Sequence, residues 1–373
     1  MRFVGMSVLY KKVLQDFGGL PASDRVQLVD FLRQVVRQAA AESDGLVGSM
    51  AARAYAAVGI LQVMGGEEPQ IIEEIFSGIS STNSNDSLLL LLLELTNSLA
   101  EEMQSMIMER ANYKKISSLL KSHKLRVITM WIESLKSRNN SPRVLDKILD
   151  GITSWVAVNV NFLANPDLVI VLCSFCGTHQ DYFQSVNDLF IQMIEKVSVA
   201  SYFGSKTSEE ISITLAKALA HDNSTPLGNA ADILAGNDQE EVLTLHSALR
   251  ILQFYLDNLY PALKQQRTHK RSMPAKCFAE MWVILFKSFP VFIFLEARVL
   301  EGIFSAVFWL MNHPDNSLSG YSFEIWLNLH RLLVKHKSLL TQKDQDLCLS
   351  LFNKVASNHQ PGIYDFVRPM CFA

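Results

Sequence analysis

The residues with the clearest potential for chemistry are Cys173, Cys176 and His179, which lie close together in the sequence. Their spacing is that of half a zinc site, which would need a fourth ligand and a loop to hold the metal. Both cysteines, however, end the apolar run 168–172, which is typical of a helix interior, and the nearest other cysteine in the sequence is Cys277. We therefore predict that they are small buried apolar residues, and neither zinc ligands nor a redox pair.

Motifs for nucleophilic catalysis and phosphate binding are absent from the sequence. It contains neither G-x-S-x-G nor H-E-x-x-H, which display a nucleophile or bind a catalytic zinc. The two glycine pairs, 18–19 and 65–66, follow helical patterns and not strands, so we expect them to end helices and not to cradle phosphate. We predict a protein that is not an enzyme and that has no cofactor, metal or catalytic residue.

Two further groups of side chains could contact a partner. The first is a basic run that could bind an acidic surface, although a solvated loop between helices explains it better: Lys264, Arg267, His269, Lys270, Arg271 and Lys276. The second is an aromatic group that fits packing between helices better than a groove for an aromatic peptide: Phe292, Phe294, Phe304, Phe308 and Trp309. Neither group is assigned to a partner, and the partner-binding residues stay unknown.

The elements that must hold these residues are predicted to be helices throughout. Apolar residues recur at helical spacing, and the breaks between segments carry Gly, Pro, Asn or Ser. One helix should follow the N-cap Ser23-Asp24, loops are expected at 100–111 and 221–226, and Pro261 should interrupt a helix. The other main predicted helices are 8–17, 46–64, 69–79, 87–95, 114–137, 144–162, 168–176, 182–199, 208–220, 239–260, 294–312, 319–335 and 342–356.

The predicted helices form pairs that repeat along the chain. One pair starts roughly 40 to 45 residues after the previous one, which is the period of HEAT and armadillo repeats. The run Leu88–Leu93 is apolar on every side of a helix and therefore needs neighbours on more than one face. We predict an all-α fold, a single continuous HEAT-like α-solenoid over residues 1–373 with about eight antiparallel helix pairs.

Composition narrows the class of protein. The 373 residues are 49% hydrophobic, so the whole length should fold, and the net charge of −3 argues against direct binding of nucleic acid. Five cysteines form no disulfide framework, which favours a reducing compartment. Residues 1–14 lack the pattern of a signal peptide, and no window of about 18 uncharged apolar residues predicts insertion into a membrane.

Four segments, taken in order, resemble the importin-β superfamily of nuclear transport receptors, and within it the transportin-SR branch. The first is Leu20-Pro21 with the helix that follows. The second is Leu91-Leu92-Leu93-Glu94-Leu95 followed by Leu99-Ala100-Glu101-Glu102, with alanine where that branch usually has proline. The other two are Ser154-Trp155 with Asn161-Phe162-Leu163-Ala164-Asn165, and His313-Pro314 with Ser322-Phe323-Glu324-Ile325-Trp326. Together they span residues 20–335, and all of them are packing motifs.

The resemblance implies a receptor that wraps protein cargo on a curved surface and shuttles between cytoplasm and nucleus. It also implies regulation of cargo loading or release by the GTPase Ran in its GTP form, and weak contacts with the Phe-Gly repeats of nucleoporins. Relative to that family, the chain is expected to lack the first and the C-terminal repeats. The alternative is a HEAT-repeat interaction scaffold unrelated to transport, because many solenoids offer a long flexible surface.

Overall fold

A computed structural model describes residues 2–42, 45–79, 86–137, 141–158, 160–197, 239–265, 273–288 and 297–313, together with 315, 317–322, 324, 325, 328, 346 and 350. Within these ranges all regular structure is helical, and the helices pack against one another as an α-helical repeat fold. The predicted fold class is therefore confirmed. The chain divides into two compact units, Met1–Val160 and Asn161–Ala373. That these form one continuous solenoid stays a prediction.

The first unit contains eight of the described helices, α1 to α8. Their bounds are α1 Arg2–Asp16, α2 Ala22–Glu42, α3 Gly45–Met64, α4 Gln70–Ile79, α5 Asp86–Ser105, α6 Arg110–Ser122, α7 Lys124–Lys136 and α8 Pro142–Ala157. Helices α1, α3, α5 and α8 form one row, in which each contacts the next. Helices α4 and α7 contact each other in a second row. Contacts between alternate helices are what a repeat of helix pairs requires.

Helix α3 lies at the centre of the first unit. It contacts α1, α2, α4, α5 and α6, and its run of alanines is fully buried because small side chains let neighbouring axes come close. A Cβ atom on Gly59 would lie only 3.0 Å from Ile71 Cγ2 of α4, so glycine permits this approach. The helix has the length and hydropathy of a membrane span, although it carries Arg53 and 61% of the apolar window is buried inside the fold.

Helix α5 bears out the need for neighbours on several sides. It contacts α2, α3, α4 and α8, and its residues 95–100 are buried without a break. The leucine run itself is only partly covered, since 88–91 are half-buried and full burial begins at Leu92. The part of the helix that packs most tightly is therefore the more polar half that follows the leucines.

Two predicted boundaries in the first unit are wrong. The expected loop at 100–111 is helical as far as Ser105, because Ala100, Glu102 and Met103 are buried and Glu102 has partners on α1 and α3. The expected helix 114–137 is two helices joined at His123. His123 is 7% exposed, and its ring stacks on Phe76 with the centroids 4.1 Å apart. The break between α6 and α7 thus lies at a buried ring that packs against α4.

The second unit contains the remaining described helices, α9 to α14. They are α9 Pro166–Thr178, α10 Phe183–Lys196, α11 Gln239–Phe254, α12 Tyr260–Gln265, α13 Met273–Ser288 and α14 Ala297–Met311. Helix α9 contacts α10 and α11, and α10 contacts α13. The predicted interruption at Pro261 is wrong, because a π-helical turn, Tyr255–Leu259, leads directly into α12, which contains Pro261. A wider turn before proline accommodates its missing N–H and its ring.

Some predictions fall outside the described residues. The helix at 208–220, the loop at 221–226 and the start of the helix at 294–312 lie wholly outside them. So do most of the helix at 319–335 and all of the helix at 342–356 except residues 346 and 350. The remaining predicted helices correspond to described ones, with boundaries that differ by several residues at some ends.

Candidate protein-interaction site

Cys173 and Cys176 are buried within α9, as predicted. Their side chains are 8% and 4% exposed, and burial raises the pKa of the Cys176 thiol to about 12. His179 lies at the exposed end of α9, where its ring contacts Phe175 at a centroid distance of 4.6 Å. Within the described ranges, no three His, Cys, Asp or Glu side chains are grouped so that they could hold a metal. That the protein binds no metal stays a prediction.

The aromatic group belongs largely to the core of the second unit. Phe304 and Phe308 are buried, and Trp309 contacts the rings of Tyr260 and Phe278 at about 6 Å. Phe292 and Phe294 lie outside the described residues. Packing between helices, the predicted role, is confirmed for the described members.

The basic run falls almost wholly outside the described part of the chain. Lys276 is exposed and forms an ion pair with Glu280 one turn along the same helix, at 3.5 Å. Nothing is described for the side chains of the other five residues. Lys264 and Lys276 lie in helices α12 and α13, so the prediction of a loop is wrong for these two residues and stays a prediction for the other four.

Helices α5 and α8 form a closely packed seam that joins two of the family-like segments. The indole N–H of Trp155 donates to the backbone carbonyl of Thr96 at 3.1 Å. The side-chain amide of Asn97 donates to the carbonyl of Lys147 at 2.8 Å. A Cβ atom on Gly151 would lie 2.3 Å from Asn97 Oδ1, so this position requires glycine. The seam positions α8 against α5 through backbone carbonyls, which no helical hydrophobic pattern specifies.

Glu102, in the second family-like segment, is a buried anion with partners on two other helices. Its side chain is fully buried, and it accepts hydrogen bonds from Arg53 Nε at 2.8 Å and from the Tyr10 hydroxyl at 2.6 Å. Burial, together with the bond to Glu102, raises the pKa of Tyr10 to about 12. A buried carboxylate is tolerated only when paired in this way. It therefore fixes the register of α1, α3 and α5.

A second network joins α2, α3 and α4 around Glu74. Arg33 donates to both carboxylate oxygens of Glu74 at 2.9–3.1 Å, and the Tyr55 hydroxyl donates to Oε2 at 2.8 Å. Burial alone would raise the pKa of Glu74, but Arg33 and Tyr55 outweigh it and lower the pKa below its ordinary value. The bidentate geometry makes this a directional contact between helices.

In the second unit, the Asn161–Asn165 segment shapes the start of α9. Asn165 caps the helix by accepting from the Leu168 N–H at 3.0 Å, and Pro166 occupies the first turn. Asn161 donates to the hydroxyl of Thr244 in α11 at 3.0 Å. The asparagines of this family-like segment are thus capping and packing residues, as the resemblance implies.

One pocket lies in the first unit where the amino ends of α3, α5 and α8 meet the carboxyl half of α2. Its volume is about 70 Å³. We call it the amino-end pocket, and define it by its lining residues: Val36, Ala39, Gly45, Gly48, Ser49, Ser87, Leu90, Leu91, Glu94, Arg143 and Lys147. The floor is apolar or backbone, and the charged residues come from α5 and α8. Within it, Lys147 Nζ pairs with Glu94 Oε2 at 2.7 Å.

Part of the chain is similar in sequence to a known protein family. A sequence model of the family described as exportin 1-like protein matches residues 56–190, from α3 to α10. Over this segment the chain is similar to that family, which supports the resemblance to the importin-β superfamily. The matched range contains the α5–α8 seam and the Asn161–Asn165 segment. The closer assignment to the transportin-SR branch stays a prediction. No curated protein matches the chain.

Several important residues were not found by sequence reasoning. Arg53 is the single charged residue in the predicted helix 46–64. Because charged side chains are rarely buried unless they are paired, an arginine in so apolar a helix indicates an acidic partner. Gly151 appeared in the middle of an amphipathic helix, where glycine is costly and indicates a close backbone approach. Arg143 and Lys147 carried no signal, because nothing in their spacing shows that α3 and α5 lie beside them.

Proposed function

We propose that the protein is a nuclear transport receptor of the importin/exportin type. In this role it binds protein cargo on the surface of its helical repeats, and Ran in its GTP form regulates loading or release. It shuttles between cytoplasm and nucleus, contacts Phe-Gly repeats of nucleoporins, and acts by binding and not by catalysis. The exportin 1-like match over residues 56–190 carries the proposal.

The packing of the helices supports this role. Alternate helices stack in rows in the first unit, so each contact is local and small changes between repeats can add along a row. The interhelical contacts that we describe are hydrogen bonds and ion pairs between particular side chains, as at Glu102 and Glu74. Such contacts fix the register of the repeats.

The test is recovery of the small GTPase by the immobilised chain. Ran loaded with a non-hydrolysable GTP analogue and Ran loaded with GDP are offered separately, at equal concentration. We expect recovery of the GTP form only. Equal recovery of both forms, or of neither, would contradict Ran regulation in this protein.

A second measurement addresses cargo. Proteins retained from a nuclear extract are identified with and without added Ran in its GTP form. A set of proteins whose retention changes with Ran–GTP is the expected result. Partners that bind regardless of the nucleotide would favour the scaffold alternative, because a HEAT scaffold unrelated to transport has no reason to respond to Ran.

A further inference from the structure

The amino-end pocket has the size of an aliphatic side chain. Its volume is about 70 Å³, whereas a cavity that holds benzene measures about 150 Å³. Val36 and Ala39 of α2 are buried at the floor, and Leu90 and Leu91 of α5 form a half-buried wall. A branched aliphatic side chain matches this space, and an aromatic ring is too large for it. The pocket therefore has room for one aliphatic group of a partner.

Glycine keeps the pocket open on the α3 side. Gly45 and Gly48 both line it, at the first turn of α3. A Cβ atom on Gly45 would lie 2.5 Å from Arg143 Nη2, so the guanidinium of Arg143 sits directly over this turn. A side chain at Gly45 would therefore displace the cation from the rim.

Arg143 places a positive charge at the rim of the pocket. Lys147 is paired with Glu94, but in the part of the chain that the structure describes no carboxylate lies within 4 Å of Arg143. The amino ends of α3, α5 and α8 add partial positive charge on the same side. An anionic group placed beside the bound apolar group would find Arg143 available for a charge-assisted hydrogen bond.

We propose that the amino-end pocket binds an acidic linear peptide, whose one aliphatic side chain enters the pocket and whose neighbouring carboxylate pairs with Arg143. The inference rests on the proposed function in taking this peptide to be part of a protein cargo. Size complementarity at the floor and charge complementarity at the rim both support it. A carboxylate next to an aliphatic side chain satisfies the two together, whereas a free anion would leave the apolar floor in water.

The experiment measures binding of short fluorescent peptides to the full chain by polarisation, without Ran. The first probe carries one leucine flanked by glutamates in a Gly/Ser background. Three others replace the leucine with alanine, the leucine with phenylalanine, or the glutamates with lysines. We expect the leucine–glutamate probe to bind about tenfold more tightly than the others, because it alone gains both the apolar contact and the ion pair.

The protein variants are Arg143→Glu and the control Arg126→Glu, which makes the same change at an exposed position of α7 outside the pocket. Arg143→Glu should weaken the leucine–glutamate probe about tenfold, since an ion pair is replaced by repulsion. Arg126→Glu should leave it unchanged. The leucine–lysine probe should bind Arg143→Glu better than the original chain, which also shows that this variant is folded.

Other occupants give different results. Equal binding of the leucine, alanine and phenylalanine probes, or no loss with Arg143→Glu, would overturn the proposal. So would saturable competition by inorganic phosphate alone, or self-association of the chain that Arg143→Glu abolishes. Failure of nucleotide-dependent Ran binding would leave these peptide measurements unaffected, so the two hypotheses can fail separately.

Discussion

The buried carboxylate of Glu102 should contribute to stability only through its partners, which double substitution can show. Glu102→Leu removes the acceptor of Arg53 Nε and of the Tyr10 hydroxyl while keeping an apolar side chain in the space. Breaking a buried ion pair by removing one partner costs about 3–5 kcal/mol. The Arg53 side chain is 35% exposed and regains part of its hydration in the variant. We therefore expect Glu102→Leu to lower the free energy of unfolding by less than that range, about 2 kcal/mol.

Removing both charges should cost less than removing one. In Arg53→Met with Glu102→Leu, no ion is left without a partner, and apolar side chains fill the space between α3 and α5. We therefore expect the double variant to be more stable than Glu102→Leu alone by about 1 kcal/mol or more.

Urea unfolding followed by far-ultraviolet circular dichroism gives the free energy of unfolding of each variant by linear extrapolation. The matched control is the surface pair Lys12–Asp16 of α1, at 3.3 Å, whose side chains are 67% and 54% exposed. Its removal should change stability by less than about 0.5 kcal/mol. Two single variants at Arg53 and Glu102 whose costs simply add in the double variant would refute the argument, because independent sites show no coupling.

Three further outcomes follow from the titrating and thiol groups. Glu74→Gln should destabilise the chain by about 1 kcal/mol at neutral pH, and the difference should shrink as the pH falls below 4.5, where the lowered pKa of Glu74 ceases to stabilise the fold. Burial, with Arg250, lowers the pKa of His246 to about 4. The free energy of unfolding should therefore fall as the pH drops from 6.5 to about 4, because the unfolded chain takes up a proton there and the folded chain does not. In urea titrations, His246→Gln should flatten that part of the pH profile. A variant with Cys348 and Cys371 replaced by serine keeps only the three buried thiols, Cys173, Cys176 and Cys277. With a chromogenic disulfide reagent, it should show no rapidly reacting thiol in the native state and three in urea. Fast labelling of the native protein would contradict their burial.

Much of the helical organisation follows from local sequence. The glycine pairs end helices as predicted, and Gly66 adopts a positive φ of 82° that favours glycine. Asn165-Pro166 starts a helix through the side-chain cap and fixed φ that those residue types supply. The apolar setting of Cys173 and Cys176 was evident from their neighbours. These features depend on a few consecutive residues, so the sequence contains the information for them.

Two of the errors occur where a polar residue is buried. The segment after Ala100 has two glutamates, a composition that predicts a loop, yet Glu102 is inside the fold, where Arg53 reaches it from α3. The break at His123 depends on Glu73 and Phe76, which contact its ring from α4. Local propensity cannot show that a charge has a partner roughly fifty residues away, because that partner is set by which helices stack.

The sequence by itself determined that the fold class is all-α, that Cys173 and Cys176 are apolar packing residues, and that its packing motifs resemble the importin-β superfamily. Periodicity and capping chemistry are local, and they are sufficient for these conclusions. Only the tertiary structure decided that Gly151 admits Asn97, that Glu102 joins three helices, and that Arg143 stands over Gly45 beside an apolar pocket. Each of these depends on the distance between helices far apart in the chain, and that distance is set by the packing of whole helix faces.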